Sequence, residues 1–162
     1  MTRSRFAGAL VAATATAALA LAGAGTANAS SAIPGATPGT NTMQNAVTKR
    51  CIDDSSGYGL RANGCNGLNY QDFTWWWQND GSVVMQNAVT KRCIDDSSGY
   101  GLRANGCNGL NYQKWYWNQN PDGSYTLVNE NTGRCIDDSF GYGLRANGYN
   151  GLNYQDFVVT PH

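Results

Sequence analysis

Three aspartate pairs, Asp53-Asp54, Asp95-Asp96 and Asp137-Asp138, recur at intervals of 42 residues and are the groups in this chain most able to do chemistry. Glycoside hydrolysis uses two carboxylates flanking one bond. Adjacent residues of a strand point to opposite faces, however, so neither member of a pair can face the other across a substrate. Nucleophilic catalysis is no better supplied: the single histidine is His162, and no serine or cysteine has another imidazole to activate it. Calcium takes about six to eight oxygens at alternating positions, with a bidentate carboxylate further along. The run Asp53-Asp54-Ser55-Ser56-Gly57 lacks that spacing. No catalytic residue, metal or cofactor is therefore expected. What these stretches do hold is Asp, Asn, Gln and Arg beside Tyr and Trp. Planar polar groups read hydroxyls, and an aromatic ring accepts the apolar face of a sugar. The plainer alternative is that the aspartates only accept hydrogen bonds from the turn amides that follow them.

The cysteines are the second set. Cys51 and Cys65 are 14 residues apart, as are Cys93 and Cys107, and pairing within each repeat (Cys51–Cys65, Cys93–Cys107) is the simplest connectivity. Each such loop closure is worth about 3 kcal/mol. Cys135 has no partner, because Tyr149 stands where the second cysteine would be. We expect Cys135 to be buried, with Tyr149 filling the vacated space beside it.

The elements that position these groups come in three copies. Residues 43–71 and 85–113 are the same 29 letters, and Cys135–Gln155 differs from Cys93–Gln113 at two of 21 positions, Phe140 for Ser98 and Tyr149 for Cys107. The spacing predicts strands over Lys49–Asp53, Leu60–Cys65, Tyr70–Trp77 and Val83–Asn87, split by Gly-rich turns and by the hairpin signal Asp80-Gly81. A propeller needs at least about four such blades to close, so three four-stranded units demand another closed all-β architecture. Alternation assigns Phe73, Trp75, Trp77 and their copies to the core, together with Ile52, Leu60 and Leu68, and leaves Trp76 outside.

Composition narrows the setting. Arg3 and Arg5 precede an Ala/Leu-rich run ending in Ala27-Asn28-Ala29, the pattern of a secretory signal peptide over residues 1–29. Residues 30–42, rich in Pro, Gly and small side chains, read as a flexible linker. Without Arg3 and Arg5, 9 of the 11 basic residues remain against 11 acidic ones. That balance argues against nucleic acid or a membrane surface as partner. An exported, extracellular chain can oxidise its cysteines.

The unit Cys-Ile-Asp, then Leu-Arg-Ala-Asn-Gly-Cys-Asn-Gly, then Gln-x-aromatic resembles the repeat of ricin B-type β-trefoil lectins. Its last element here is Gln71-Asp72-Phe73, Gln113-Lys114-Trp115 and Gln155-Asp156-Phe157, and only the middle copy keeps tryptophan. The resemblance implies a β-trefoil of three 42-residue repeats (43–84, 85–126 and 127–162), a six-stranded barrel capped by hairpins. It also implies a sugar site in each repeat. Carried over, the site's aspartate is Asp53, Asp95 and Asp137, and its glutamine is Gln71, Gln113 and Gln155. The polar position falls on Arg61, Arg103 and Arg145. The position of the stacking aromatic falls on Asn63, Asn105 and Asn147, which carry no ring, and Asn69 is displaced from its place beside Gln71. Tyr58, Tyr100 and Tyr142 are the substitute platforms within reach of the aspartates. The resulting expectation is a secreted, monomeric, non-catalytic module that binds a glycan or polysaccharide through up to three equivalent shallow sites. The alternative is a β-trefoil that binds or inhibits a protein through its loops and Trp76.

Overall fold

The computed structural model describes residues 39–162. The signal peptide expected over 1–29 and most of the linker expected over 30–42 lie outside them. The described residues form twelve strands: β1 (Thr40–Asn45), β2 (Arg50–Ser55), β3 (Gly59–Gly64), β4 (Phe73–Trp77), β5 (Val83–Asn87), β6 (Arg92–Ser97), β7 (Gly101–Gly106), β8 (Lys114–Gln119), β9 (Tyr125–Asn129), β10 (Cys135–Ser139), β11 (Gly143–Asn147) and β12 (Asp156–Pro161). β1 starts at Thr40, three residues inside the expected linker, because Asn41–Asn45 pairs in register with Phe157–Pro161.

Six strands close a barrel. β1 pairs with β4, β4 with β5, β5 with β8, β8 with β9, β9 with β12, and β12 returns to β1. Closure leaves this ring without a free edge. The other six strands form hairpins β2–β3, β6–β7 and β10–β11, one attached to each of β1, β5 and β9. β3, β7 and β11 meet one another, so the hairpins form a single cap around a pseudo-threefold axis. The fold is a β-trefoil.

Its core is layered in threes from equivalent positions: Ile52, Ile94 and Ile136, then Met43, Met85 and Leu127, then Phe73, Trp115 and Phe157, all fully buried. Truncating one of these rings to alanine costs about 3–5 kcal/mol. Below them Trp75, Trp77, Trp117 and Tyr125 fill the barrel with edge-to-face and stacked contacts, Trp75 to Trp117 at 4.1 Å and Trp117 to Tyr125 at 4.0 Å. Trp76 is 55% exposed, as the alternation predicts.

Two expectations fail for one reason. Leu68 and its copies Leu110 and Leu152 are 54% exposed, not buried, and the strand expected from Tyr70 begins only at Phe73. The Asn66 side chain accepts the Leu68 amide proton, and Asn69–Gln71 then winds into a 3-10 turn closed by the Gln71 N–H on the Leu68 carbonyl. A local side-chain hydrogen bond has overridden a hydrophobic, aromatic pattern.

Polar groups stitch one repeat to the next. The buried Asn45, Asn87 and Asn129 each accept two amide protons of the following turn. Their amide nitrogens donate to the carbonyls of Tyr154, Tyr70 and Tyr112, which belong to the neighbouring repeats. The turn also needs a left-handed residue, Lys49 (φ 59°) and Lys91 (φ 58°), and the third repeat meets that need with Gly133.

Candidate functional site

The Asp-Asp pairs split as alternation requires. Asp54, Asp96 and Asp138 are fully buried, and each meets an arginine of the following repeat: Arg92, Arg134 and, closing the circle, Arg50. The guanidinium Nε lies 3.0–3.1 Å from one carboxylate oxygen while Nη2 takes the other. Thr90, Thr132 and Thr48 add a hydroxyl to the same carboxylates. These three residues are clamps between repeats. The plainer expectation, that turn amides would satisfy the aspartates, gives way to this ring of fork-shaped ion pairs.

The other members, Asp53, Asp95 and Asp137, are buried as well, at 1–2% exposure, on the opposite side of their strands. Register pairing sets Asp53 opposite Arg61 and Cys51 opposite Asn63, with the same pairs in the other copies. Arg61 Nε donates to Asp53 Oδ1 at 3.1 Å, and Arg103 and Arg145 repeat that distance on Asp95 and Asp137. The guanidinium carbon lies 4.2 Å from the centroid of the Tyr58, Tyr100 or Tyr142 ring. The ring itself is about three-quarters exposed (Tyr58, 76%). Arginine is thus fixed from two directions, by a carboxylate and by a ring. Among the described residues its terminal nitrogens make no hydrogen bond.

Asp53, Tyr58, Arg61, Asn63, Leu68 and Tyr70 line a shallow depression of about 360 Å³ in the first repeat. The Asn63 amide makes no hydrogen bond among the described residues and stands free beside the arginine. The glutamines lie lower. Gln71, Gln113 and Gln155 are buried, each accepting the amide proton of Asn66, Asn108 or Asn150 and donating to the carbonyl of Gly64, Gly106 or Gly148. Gln71 and Gln113 also donate to Asp53 and Asp95 at 3.4 and 3.2 Å. Their side chains shape the loop beneath the depression. The arginines, asparagines and tyrosines carry its surface.

Both disulfides form as the spacing suggests, Cys51–Cys65 and Cys93–Cys107. Cys135 is buried as expected, and burial, then the Asp137 charge, push its thiol up to about 11. Tyr149 corrects the remaining expectation: it is 71% exposed and fills no space beside Cys135. Cys135 sits inside its sheet, opposite Asn147 on β11 and Val128 on β9.

A sequence search of curated proteins finds no match. Among solved structures the chain is similar to a designed three-fold symmetric protein, ThreeFoil (TM-score 0.69, 14% identity, covering 76% of this chain and 99% of that one). It is similar to SeviL bound to asialo-GM1 saccharide (TM-score 0.66, 16% identity, 77% and 98%). It also matches a part, 32%, of a GlcNAcα1-4Gal-releasing endo-β-galactosidase from Clostridium perfringens (TM-score 0.68, 13% identity, 76% of this chain). These likenesses establish the fold. The family profile of the ricin-type beta-trefoil lectin domain matches residues 39–157, the whole of the barrel and its cap up to the last Gln-x-aromatic motif, and the chain belongs to that family.

Proposed function

We propose that the protein is a secreted carbohydrate-binding module with up to three equivalent shallow sites, one on each hairpin of the cap. The observation that carries this reading is the Asp–Arg–Tyr arrangement, repeated three times at the same 3.1 and 4.2 Å with the terminal arginine nitrogens unfilled. In each site the tyrosine is the platform for the apolar face of a pyranose. The arginine terminus and the Asn63, Asn105 or Asn147 amide donate to hydroxyls, and the aspartate holds the arginine and accepts with its remaining lone pairs. Family membership supports carbohydrate binding in general, and two disulfides fit an oxidising, extracellular setting. With Cys135 buried, nothing ties two copies covalently, and the module works as a monomer.

The chemistry is binding rather than catalysis. Where the trefoil recurs in the endo-β-galactosidase and in an exo-β-1,3-galactanase from Clostridium thermocellum, it covers only about a third of those chains, 32% and 31%. One such open site is worth roughly −4 kcal/mol, a dissociation constant of the order of mM. Three on one rigid body bind a polymer far more tightly.

The test is a glycan and polysaccharide binding screen on the full chain, followed by R61A/R103A/R145A shown to be folded. Losing a charged hydrogen bond costs about 1.5–3 kcal/mol, so single-site affinity falls tenfold or more and binding to the polymer collapses. A folded triple variant that binds as the parent does would refute the assignment, and retention only of a protein from extract would favour the protein-binding alternative.

A further inference from the structure

The outer barrel wall has three equivalent junctions, and one of them is built differently. Between β12 and β1 the wall presents Val158 opposite Gln44 and Thr160 opposite Thr42, beside Cys65. Between β4 and β5 it presents Thr74 opposite Gln86 and Trp76 opposite Val84, beside Cys107. In both, the glutamine amide donates to the disulfide sulfur, at 3.2 and 3.4 Å. Between β8 and β9 the same positions hold Tyr116 opposite Val128 and Asn118 opposite Thr126. Tyr149 replaces the cysteine and Val128 the glutamine.

Those exchanges open a second depression, of about 190 Å³, lined by Asn118, Asn120, Thr126, Val128 and Tyr149. Asn120 and Thr126 are held from behind: the Asn120 amide nitrogen lies 2.9–3.2 Å from oxygens of Ser124, Thr126 and Asp156, which share its two hydrogens, and the Thr126 hydroxyl lies 3.2 Å from Asp156. Its rim is unfilled. The exposed Asn118 amide makes no hydrogen bond among the described residues, and Tyr149 presents its ring to solvent.

We propose that this depression is a further carbohydrate subsite, built on Asn118, Val128 and Tyr149 that the other two junctions replace, which takes one pyranose ring with its apolar face on Tyr149 and Val128 and its hydroxyls on the Asn118 amide. Asn118, Asn120 and Thr126 bring amide and hydroxyl groups to the lining beside the apolar surfaces of Val128 and Tyr149, a combination that suits one pyranose ring. The volume is smaller than the roughly 300–1,000 Å³ of sites for drug-sized ligands, which fits a single sugar. The subsite shares no residue with the depression of the first repeat or with the Asp–Arg–Tyr groups of the other two, and does not rest on them. It also gives a reason for the third repeat's lost cross-link, since the platform occupies the position of the missing cysteine.

The experiment is an NMR titration of the isotope-labelled full chain with the methyl glycosides of glucose, galactose, mannose and N-acetylglucosamine. At least one of them shifts the Asn118 side-chain amide and the Val128 methyls saturably, with a dissociation constant of the order of mM. Y149A weakens that response more than tenfold, Y149F keeps it, and R61A/R103A/R145A leaves it in place even where binding at the hairpins is gone. The proposal is overturned if none of the four glycosides moves both signals, or if the shifts survive Y149A. A response at Val128 to the dipeptide Gly-Trp, with none to the glycosides, overturns it in favour of a peptide site.

Discussion

The hairpins β6–β7 and β10–β11 share all but two residues over 21 positions, yet they are secured differently. The first carries a disulfide and a glutamine on its sulfur; the second has a buried thiol and an exposed tyrosine. Both keep the arginine clamp to the next repeat unchanged. The trefoil therefore tolerates loss of its covalent tie in one repeat while the ionic tie recurs in all three. A buried carboxylate cannot be left alone at low cost, whereas a missing cross-link only returns entropy to the unfolded chain.

The sharpest way to break this comparison is to remove a clamp. Breaking a buried pair from one side costs about 3–5 kcal/mol, and because Arg50 is 29% exposed we expect D138A near the lower end. D54A, in a repeat that keeps its disulfide, should lose the same amount within about 1 kcal/mol. Urea unfolding of the two variants measures both. A loss below about 1 kcal/mol in either would show that the clamps are surface pairs in energetic terms.

A smaller effect comes from repairing the difference. Y149C places a second thiol at the same 14-residue separation from Cys135 as in the two natural pairs. A bridge there adds up to about 3 kcal/mol, and less where geometry is imperfect. Thiol counting follows it directly. The parent has one thiol, held as the inert protonated form by a value of about 11, so native labelling is slow and becomes fast on denaturation. The variant has none. Rapid labelling of the native parent would mean that the sheet opens at β10.

How far the fold and site could be read from sequence follows the same division. The 42-residue period and the alternation of Phe73, Trp75 and Trp77 called for a closed architecture of three four-stranded units, and the resemblance carried by the Gln-x-aromatic motif implied the six-stranded barrel. The Asp53–Arg61 pair was within reach, since both were placed in the site. What could not be read was direction across repeats. Arg50, Arg92 and Arg134 lie next to the cysteines in sequence and look local, yet each reaches a carboxylate of the repeat before it in the ring. Leu68 misled because an Asx turn at Asn66 outweighs one leucine's preference for the core. Tyr149 misled because it turns outward to line a depression on the barrel wall, and Cys135 is buried without it.

The smallest expected effect separates the barrel's two closed hairpins from its open one. In Asp80-Gly81-Ser82 and Asp122-Gly123-Ser124 the serine N–H and hydroxyl donate to the aspartate at 2.9 and 2.6 Å. Those bonds, above all the one from the hydroxyl, hold both carboxyls below the usual value of 3.8. A carboxyl lowered in the folded state stabilises it fully above that ordinary value, and the contribution is lost as pH falls through the lower, folded one. Asp80 also faces the Lys114 ammonium at 3.3 Å, and Asp122 has no such partner among the described residues. At the equivalent position β12 and β1 pair without a connecting turn, and the His162 N–H donates to the Thr40 carbonyl at 2.9 Å. We therefore expect D80N and D122N to melt slightly below the parent at neutral pH and to converge with it as acid protonates the native carboxyls. The deficit should be larger for D80N and should shrink with added salt. Thermal melts across pH for the two variants settle the order: equal, salt-insensitive deficits would mean that the serine bonds alone stabilise the turns and that Lys114 adds nothing.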